Sequence, residues 1–69
     1  MDAHRVERIV REIIAEYGFA CELVGVHDRE GTWHVTLRQQ ARRIIDFDVV
    51  SSTPSQMREW IVARLNQEC

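Results

Sequence analysis

The stretch "FACELVGVHDREGTWHVTLR", residues 19–38, decides the fold because in its second half, residues 32–38, apolar residues alternate strictly with polar ones. Trp33, Val35 and Leu37 occupy every second position, as expected of a strand with one buried face. The segment "DREGT", residues 28–32, predicts a type I turn closed by Gly31 in the left-handed region. We therefore predict a β-hairpin with a three-residue loop, in which residue 28 pairs with residue 32.

This loop fixes which residues share each side of the hairpin. Leu23 is predicted to lie opposite Leu37, and Gly25 opposite residue 35, on the side that helices cover. A glycine on that side would let a helix approach the sheet closely. On the other side, which we call the open face, the same register places Val26 opposite His34 and residue 22 opposite residue 38.

The segments around the hairpin predict two helices and a third strand. Residues 4–17 carry apolar side chains at helical spacing, followed by a glycine suited to a helix C-terminus. "RIIDFDVV", residues 43–50, alternates like a strand, with Asp46 and Asp48 on the open face. In "STPSQ", residues 52–56, Thr53 fits an N-cap and Pro54 a first helical position. The inner face of this last helix is predicted to consist of Met57, Trp60, Ile61 and Leu65.

The order helix, strand, strand, strand, helix defines the fold class. Short turns favour an antiparallel meander, and two apolar helical stripes require a common face on which to pack. We predict a two-layer α+β domain spanning residues 1–69, in which both helices cover one face of a three-stranded antiparallel sheet. A core this small gives a low net free energy of unfolding, which dimerisation would increase.

Composition narrows the classes of function. The 69-residue chain has a formal charge of −2, which argues against a large non-specific nucleic-acid footprint. No apolar run is long enough to span a membrane, and the charged start lacks a secretion signal, so a soluble cytoplasmic protein is expected.

Cys21 and Cys69 do not form a disulfide framework and are expected to be free thiols. No cofactor is expected. No metal site is expected either, because His27 and His34 are predicted on opposite faces.

The α-β-β-β-α order resembles the double-stranded-RNA-binding domain. That resemblance implies phosphate contacts at the start of the second helix and a histidine-bearing loop between the first two strands. The corresponding segments read "STPSQMREW" and "HDREG", in which acidic residues stand where the family has lysines. RNA binding through these segments is therefore not expected, since it depends on several cations facing the duplex.

The layout also resembles the small RNA-cleaving toxins of the HicA kind, which share this element order. "GF" at residues 18–19, the hairpin, the third strand and the last helix follow in the same sequence. In those toxins a catalytic histidine follows a glycine near the start of the second strand, which implies His34 as a general acid or base. Either register that the buried faces allow places Asp46 or Asp48 opposite His34. Such a pair can orient an imidazole for catalysis, but it is more often a cross-strand charge contact.

The open face has the most unusual composition. It carries more aliphatic side chains than a solvated antiparallel face normally does. The leading hypothesis is a small non-enzymatic interaction module that binds a protein partner or itself here, a symmetric homodimer being the simplest form. The predicted partner-binding residues are Val24, Val26, His34 and Ile44. Arg38, Arg42 and Arg43 form a separate candidate site for an anion or nucleic acid, with solubility and edge protection as the alternative explanation.

Overall fold

The computed structural model describes residues 2–40 and 42–68 and confirms the predicted element order. The two helices and the three-stranded antiparallel sheet, in the order β1-β2-β3, form the predicted two-layer arrangement. The bounds of the elements are α1 Ala3–Tyr17, β1 Cys21–Arg29, β2 Thr32–Gln39, β3 Ile44–Val50 and α2 Pro54–Glu68.

Helix α1 is defined by its caps and by its apolar stripe. The Asp2 carboxylate accepts a hydrogen bond from the Arg5 backbone N–H (2.9 Å), and Gly18 ends the helix with a φ of 69°. The stripe packs into the core through its buried members, Val6, Ile9, Val10 and Ile13. Tyr17, the last residue of the predicted stripe, is instead half exposed and stacks against Phe19.

The β1–β2 hairpin has a two-residue loop rather than the predicted three-residue loop. Glu30 and Gly31 both have positive φ values, 43° and 87°, as a type I′ turn requires. Residue 29 therefore pairs with residue 32, one step away from the predicted register. A β-bulge between Leu23 and Gly25 shifts the register back, so that the predicted pairs of residues 22 and 23 with residues 38 and 37 do form.

The residues between the turn and the bulge consequently lie on the opposite face from the one predicted. Val26 pairs with the buried Val35 and packs against the core, so its assignment to the open face was wrong. His27 pairs with His34 and shares the open face with it, which corrects the prediction of opposite faces. Gly25 also belongs to the open face, since a Cβ there would contact the His27 Nε2 at 3.7 Å. Gly25 thus does not serve helix packing.

Strands β2 and β3 pair as the alternation predicts. Their inward side chains are all buried beneath the helices: Trp33, Val35, Leu37, Ile45, Phe47 and Val49. Of the two registers left open by the sequence, the structure has the one that places His34 directly opposite Asp48. Thr36 lies opposite Asp46.

Helix α2 begins as predicted but presents a narrower apolar face. The Thr53 hydroxyl accepts a hydrogen bond from the Gln56 backbone N–H at 3.2 Å, and Pro54 is the first helical residue. The buried residues are Met57, Ile61 and Leu65. Trp60 was predicted to face inward but is 41% exposed.

The two helices cover different parts of the sheet. Helix α1 packs on β1 and α2 packs on β3, with a contact between the helices that includes the Arg58–Glu16 ion pair. All of the buried apolar side chains in the described part of the chain lie in this one layer. No helix within the described residues combines the length and hydropathy needed to cross a membrane. The opposite face of the sheet carries no packed element of the described chain.

The open sheet face as candidate functional site

The open face is formed by the alternate residues of three strands, because side chains in a strand point to opposite sides in turn. Strand β1 contributes two neighbouring residues at the bulge, so the face includes both Val24 and Gly25. Its other members are Glu22, His27 and Arg29 from β1, Thr32, His34, Thr36 and Arg38 from β2, and Ile44, Asp46, Asp48 and Val50 from β3.

His34 lies at the centre of the open face between two carboxylates. Its Nδ1 is 2.8 Å from the Asp48 Oδ1, and its Nε2 is 3.9 Å from the Asp46 Oδ2. Because an ionised carboxylate only accepts hydrogen bonds, the contact with Asp48 selects the form of the ring that carries a proton on Nδ1. Only 17% of the His34 side chain is exposed, and the contact with Asp48 orients its ring.

His27 adds a second imidazole beside His34, across the β1–β2 pair. Directly opposed side chains in an antiparallel pair have Cβ atoms about 5 Å apart. Sequence reasoning missed this pair because it depends on the turn type, and a glutamate at a left-handed position is a weak signal for a type I′ turn. Within residues 2–40 and 42–68, no three His, Cys, Asp or Glu side chains are arranged to hold a metal ion.

Three aliphatic side chains surround the polar centre. Val24, Ile44 and Val50 are each more than half exposed, and they lie near the edges of the face on β1 and β3. Val24 and Ile44 thus remain on the surface for which the sequence proposed partner binding, whereas Val26 is removed from it. The open face thus has aliphatic side chains near its edges and polar side chains at its centre.

Comparison with known proteins identified no relative of this chain. No family model, curated protein or solved structure matches the chain. The similarities to the double-stranded-RNA-binding domain and to HicA-type toxins therefore rest on the order of the elements and on the residues quoted above.

The charges on the open face are unevenly distributed between its two edges. Strand β1 carries His27 and Arg29 near the hairpin, whereas β3 carries the two exposed aspartates. Arg38 forms an ion pair with Glu22, so its charge is balanced within the face. The face is consequently acidic along β3 and neutral to basic along the hairpin half of β1.

The three arginines proposed as an anion site are close in sequence but differ in environment. Arg42 and Arg43 are exposed in the turn between β2 and β3, where residue 42 adopts a positive φ of 63°. Arg38 is engaged by Glu22, and Arg38 and Arg42 both line a shallow depression at this end of the sheet. The depression therefore brings Arg38 and Arg42 together, with the charge of Arg38 balanced by Glu22.

Proposed function

We propose that this chain is a non-enzymatic interaction module whose open sheet face binds a second copy of itself. The observation that carries the proposal is the ring of half-exposed aliphatic side chains, Val24, Ile44 and Val50, on a sheet face that no described segment covers. Burying these side chains against another such face would remove apolar surface from water. Two pairs on this face, His34–Asp48 and Arg38–Glu22, are already formed within the chain, so a neighbouring molecule need not satisfy those four groups individually.

The distribution of charge favours one symmetry. A two-fold axis parallel to the strands places β1 of one copy against β3 of the other, so that His27 and Arg29 face the acidic strand. An axis running across the strands would instead oppose the two β3 strands, and their aspartates would repel one another. The first arrangement is therefore the one that we propose.

The size of the domain sets the strength of this association. The molecule measures 31 × 21 × 19 Å, so its largest face offers on the order of 600 Å². Standard stable interfaces bury roughly 800 Å² on each partner. We therefore expect a weak, reversible dimer with a dissociation constant in the micromolar to millimolar range.

Sedimentation equilibrium tests the proposal. The average mass of the wild-type chain should rise from 8.1 kDa towards twice that value as its concentration approaches about 1 mM. Val24→Glu should hold the chain at the monomer mass, because it places a charge among the aliphatic groups. Ala15→Glu, an equal change on the exposed surface of α1, should dimerise like the wild type. A wild-type chain that stays monomeric, or an equal loss in both variants, would refute the proposal.

A second candidate function, RNA cleavage as in HicA-type toxins, is favoured by one observation. The Asp48 carboxylate orients the His34 ring through Nδ1, which leaves the Nε2 lone pair to accept a proton. His27 lies beside it and provides a second group suited to acid–base chemistry. Against this, Asp46 and Asp48 would repel an RNA backbone. Self-association therefore remains the preferred proposal.

Incubating the purified chain with a structured RNA distinguishes the two candidates. If the second candidate is correct, the wild type cleaves the RNA, His34→Ala abolishes cleavage, and His4→Ala on the exposed surface of α1 does not. Failure of the wild type to cleave, or equal cleavage by His34→Ala, removes the candidate.

A further inference from the structure

Strand β3 forms an exposed edge of the sheet. It is the last strand in the order β1-β2-β3, and the described chain pairs nothing with its outer side. Its seven residues keep an uninterrupted register with β2 and contain no proline or lysine, two residues with which proteins often protect such edges. The other edge, β1, is interrupted by the bulge at Val24. Of the two edges, β3 is the better template for pairing with another strand.

The hydrogen bonds at both ends of β3 show which backbone groups point outward. The Ser51 N–H donates to the Gly31 carbonyl, and the Arg43 carbonyl accepts from the Gln39 N–H, each at 2.9 Å. The odd-numbered residues thus face β2. Since backbone groups alternate along an antiparallel strand, the N–H and C=O groups of Ile44, Asp46, Asp48 and Val50 point away from the sheet. These four residues offer a continuous set of donors and acceptors to an added strand.

The two sides of this edge differ in chemistry. On the open face, Asp46 and Asp48 project with more than half of their side chains exposed. On the helix side, Arg64 lies over the Phe47 ring, 5.6 Å from its centroid. Trp60 is one turn before Arg64 and therefore lies on the same side of α2. Arg58 contacts α1 from the other side of the helix. The exposed Trp60 indole consequently lies on the β3 side of α2.

A second β3 strand is a poor occupant of this edge. Antiparallel pairing of two copies about their centre would set Asp46 opposite Asp48 twice, bringing four carboxylates together. The face-to-face dimer proposed above uses side chains instead of the edge and does not fill these backbone positions. A strand with basic side chains is therefore the better occupant of this edge.

We infer that the β3 edge binds an extended peptide segment of a partner protein by strand addition. The segment carries two basic residues in an Arg-x-Arg spacing, which lie opposite Asp46 and Asp48 on the open face. The residue between them is apolar and points to the Trp60 side, and aliphatic residues flank the motif opposite Ile44 and Val50. Backbone hydrogen bonds supply affinity in this mode, and the alternating side chains supply specificity.

Synthetic peptides test the inference. The probe is the blocked peptide Val-Thr-Arg-Val-Arg-Thr-Val, which reads the same in both directions and so fits either strand polarity. Its control, Val-Arg-Thr-Val-Thr-Arg-Val, has the same composition but turns both arginines towards the helix side. The control should bind at least about tenfold more weakly, because cross-strand charge pairs depend on the shared face. Equal binding of the two peptides would overturn the inference.

Amide hydrogen exchange identifies the bound surface. The probe should slow exchange at residues 44, 46, 48 and 50 and leave residues 45, 47 and 49 unchanged, because only the first set points outward. Perturbation confined to open-face side chains, without this alternation, would contradict strand addition.

Two variants complete the test. Asp46→Lys should weaken binding of the probe and strengthen binding of Val-Thr-Glu-Val-Glu-Thr-Val, in which glutamate replaces arginine. An unchanged preference would refute the role of the acidic edge. Val24→Glu, which should abolish self-association, lies on β1 and should bind the probe at least as tightly as the wild type, because the dimer and the peptide use the same open-face side chains of β3. Peptide binding by this variant thus separates failure of the dimer from failure of the edge site.

Discussion

At the scale of single residues, the composition of the open face depends on two shifts in the pairing register of β1 with β2, each of one residue. The left-handed conformation of Glu30 shortens the hairpin loop to two residues, which exchanges the faces of every β1 residue beside it. The bulge at Val24 then adds one residue and restores the original faces beyond it. His27 lies between these shifts and for that reason reaches His34.

Gly25 tests this account of the bulge. Gly25→Ala should leave the free energy of unfolding unchanged or raise it by about 0.4–1 kcal/mol, because the added methyl group meets only the His27 Nε2 at 3.7 Å. Gly31→Ala is the matched comparison, and it should cost roughly 1–2 kcal/mol because residue 31 has a φ of 87°. Urea denaturation monitored by circular dichroism measures both. A large loss at Gly25→Ala would indicate that this position faces a packed helix, as the sequence alone suggested.

At the scale of elements, periodicity predicts most of the structure. The stripe of α1 and the alternation of β2 and β3 are long enough for the buried side to be identified from sequence, and the structure confirms it. The cap at Thr53 likewise follows from local chemistry. These features depend on residues that are near one another in the chain.

The errors at this scale arise where tertiary geometry decides. The sequence identifies the hairpin, but three- and two-residue loops share the same residues, and a bulge has no reliable sequence signal. The stripe of α2 was predicted too wide because Trp60 is apolar and one turn from the buried Met57. Position 60 lies beyond the contact with β3, which the sequence does not reveal. The His34–Asp48 contact was predicted only as one of two alternatives, since the buried faces permit both registers.

At the scale of the whole molecule, both helices and the sheet share a single core, so a cavity at one position weakens every element. Among the described residues, thirteen apolar side chains form this core, in a chain of 69 residues. Stabilities of about 0.05–0.15 kcal/mol per residue are typical, which gives roughly 3–10 kcal/mol for a domain of this length. Loss of a single large core side chain is therefore a substantial fraction of the total.

Met57 and Trp60, one turn apart in α2, provide the sharpest test of this packing. Met57 is fully buried, so Met57→Ala should lower the free energy of unfolding by about 2–5 kcal/mol. Trp60→Ala removes a larger side chain but should cost under about 1.5 kcal/mol, because much of the indole already contacts water. Urea titration monitored by far-ultraviolet circular dichroism compares the variants without relying on tryptophan emission. A greater loss in Trp60→Ala than in Met57→Ala would mean that the indole is part of the core, and the Trp60 side of the β3 edge would then be unable to receive a peptide.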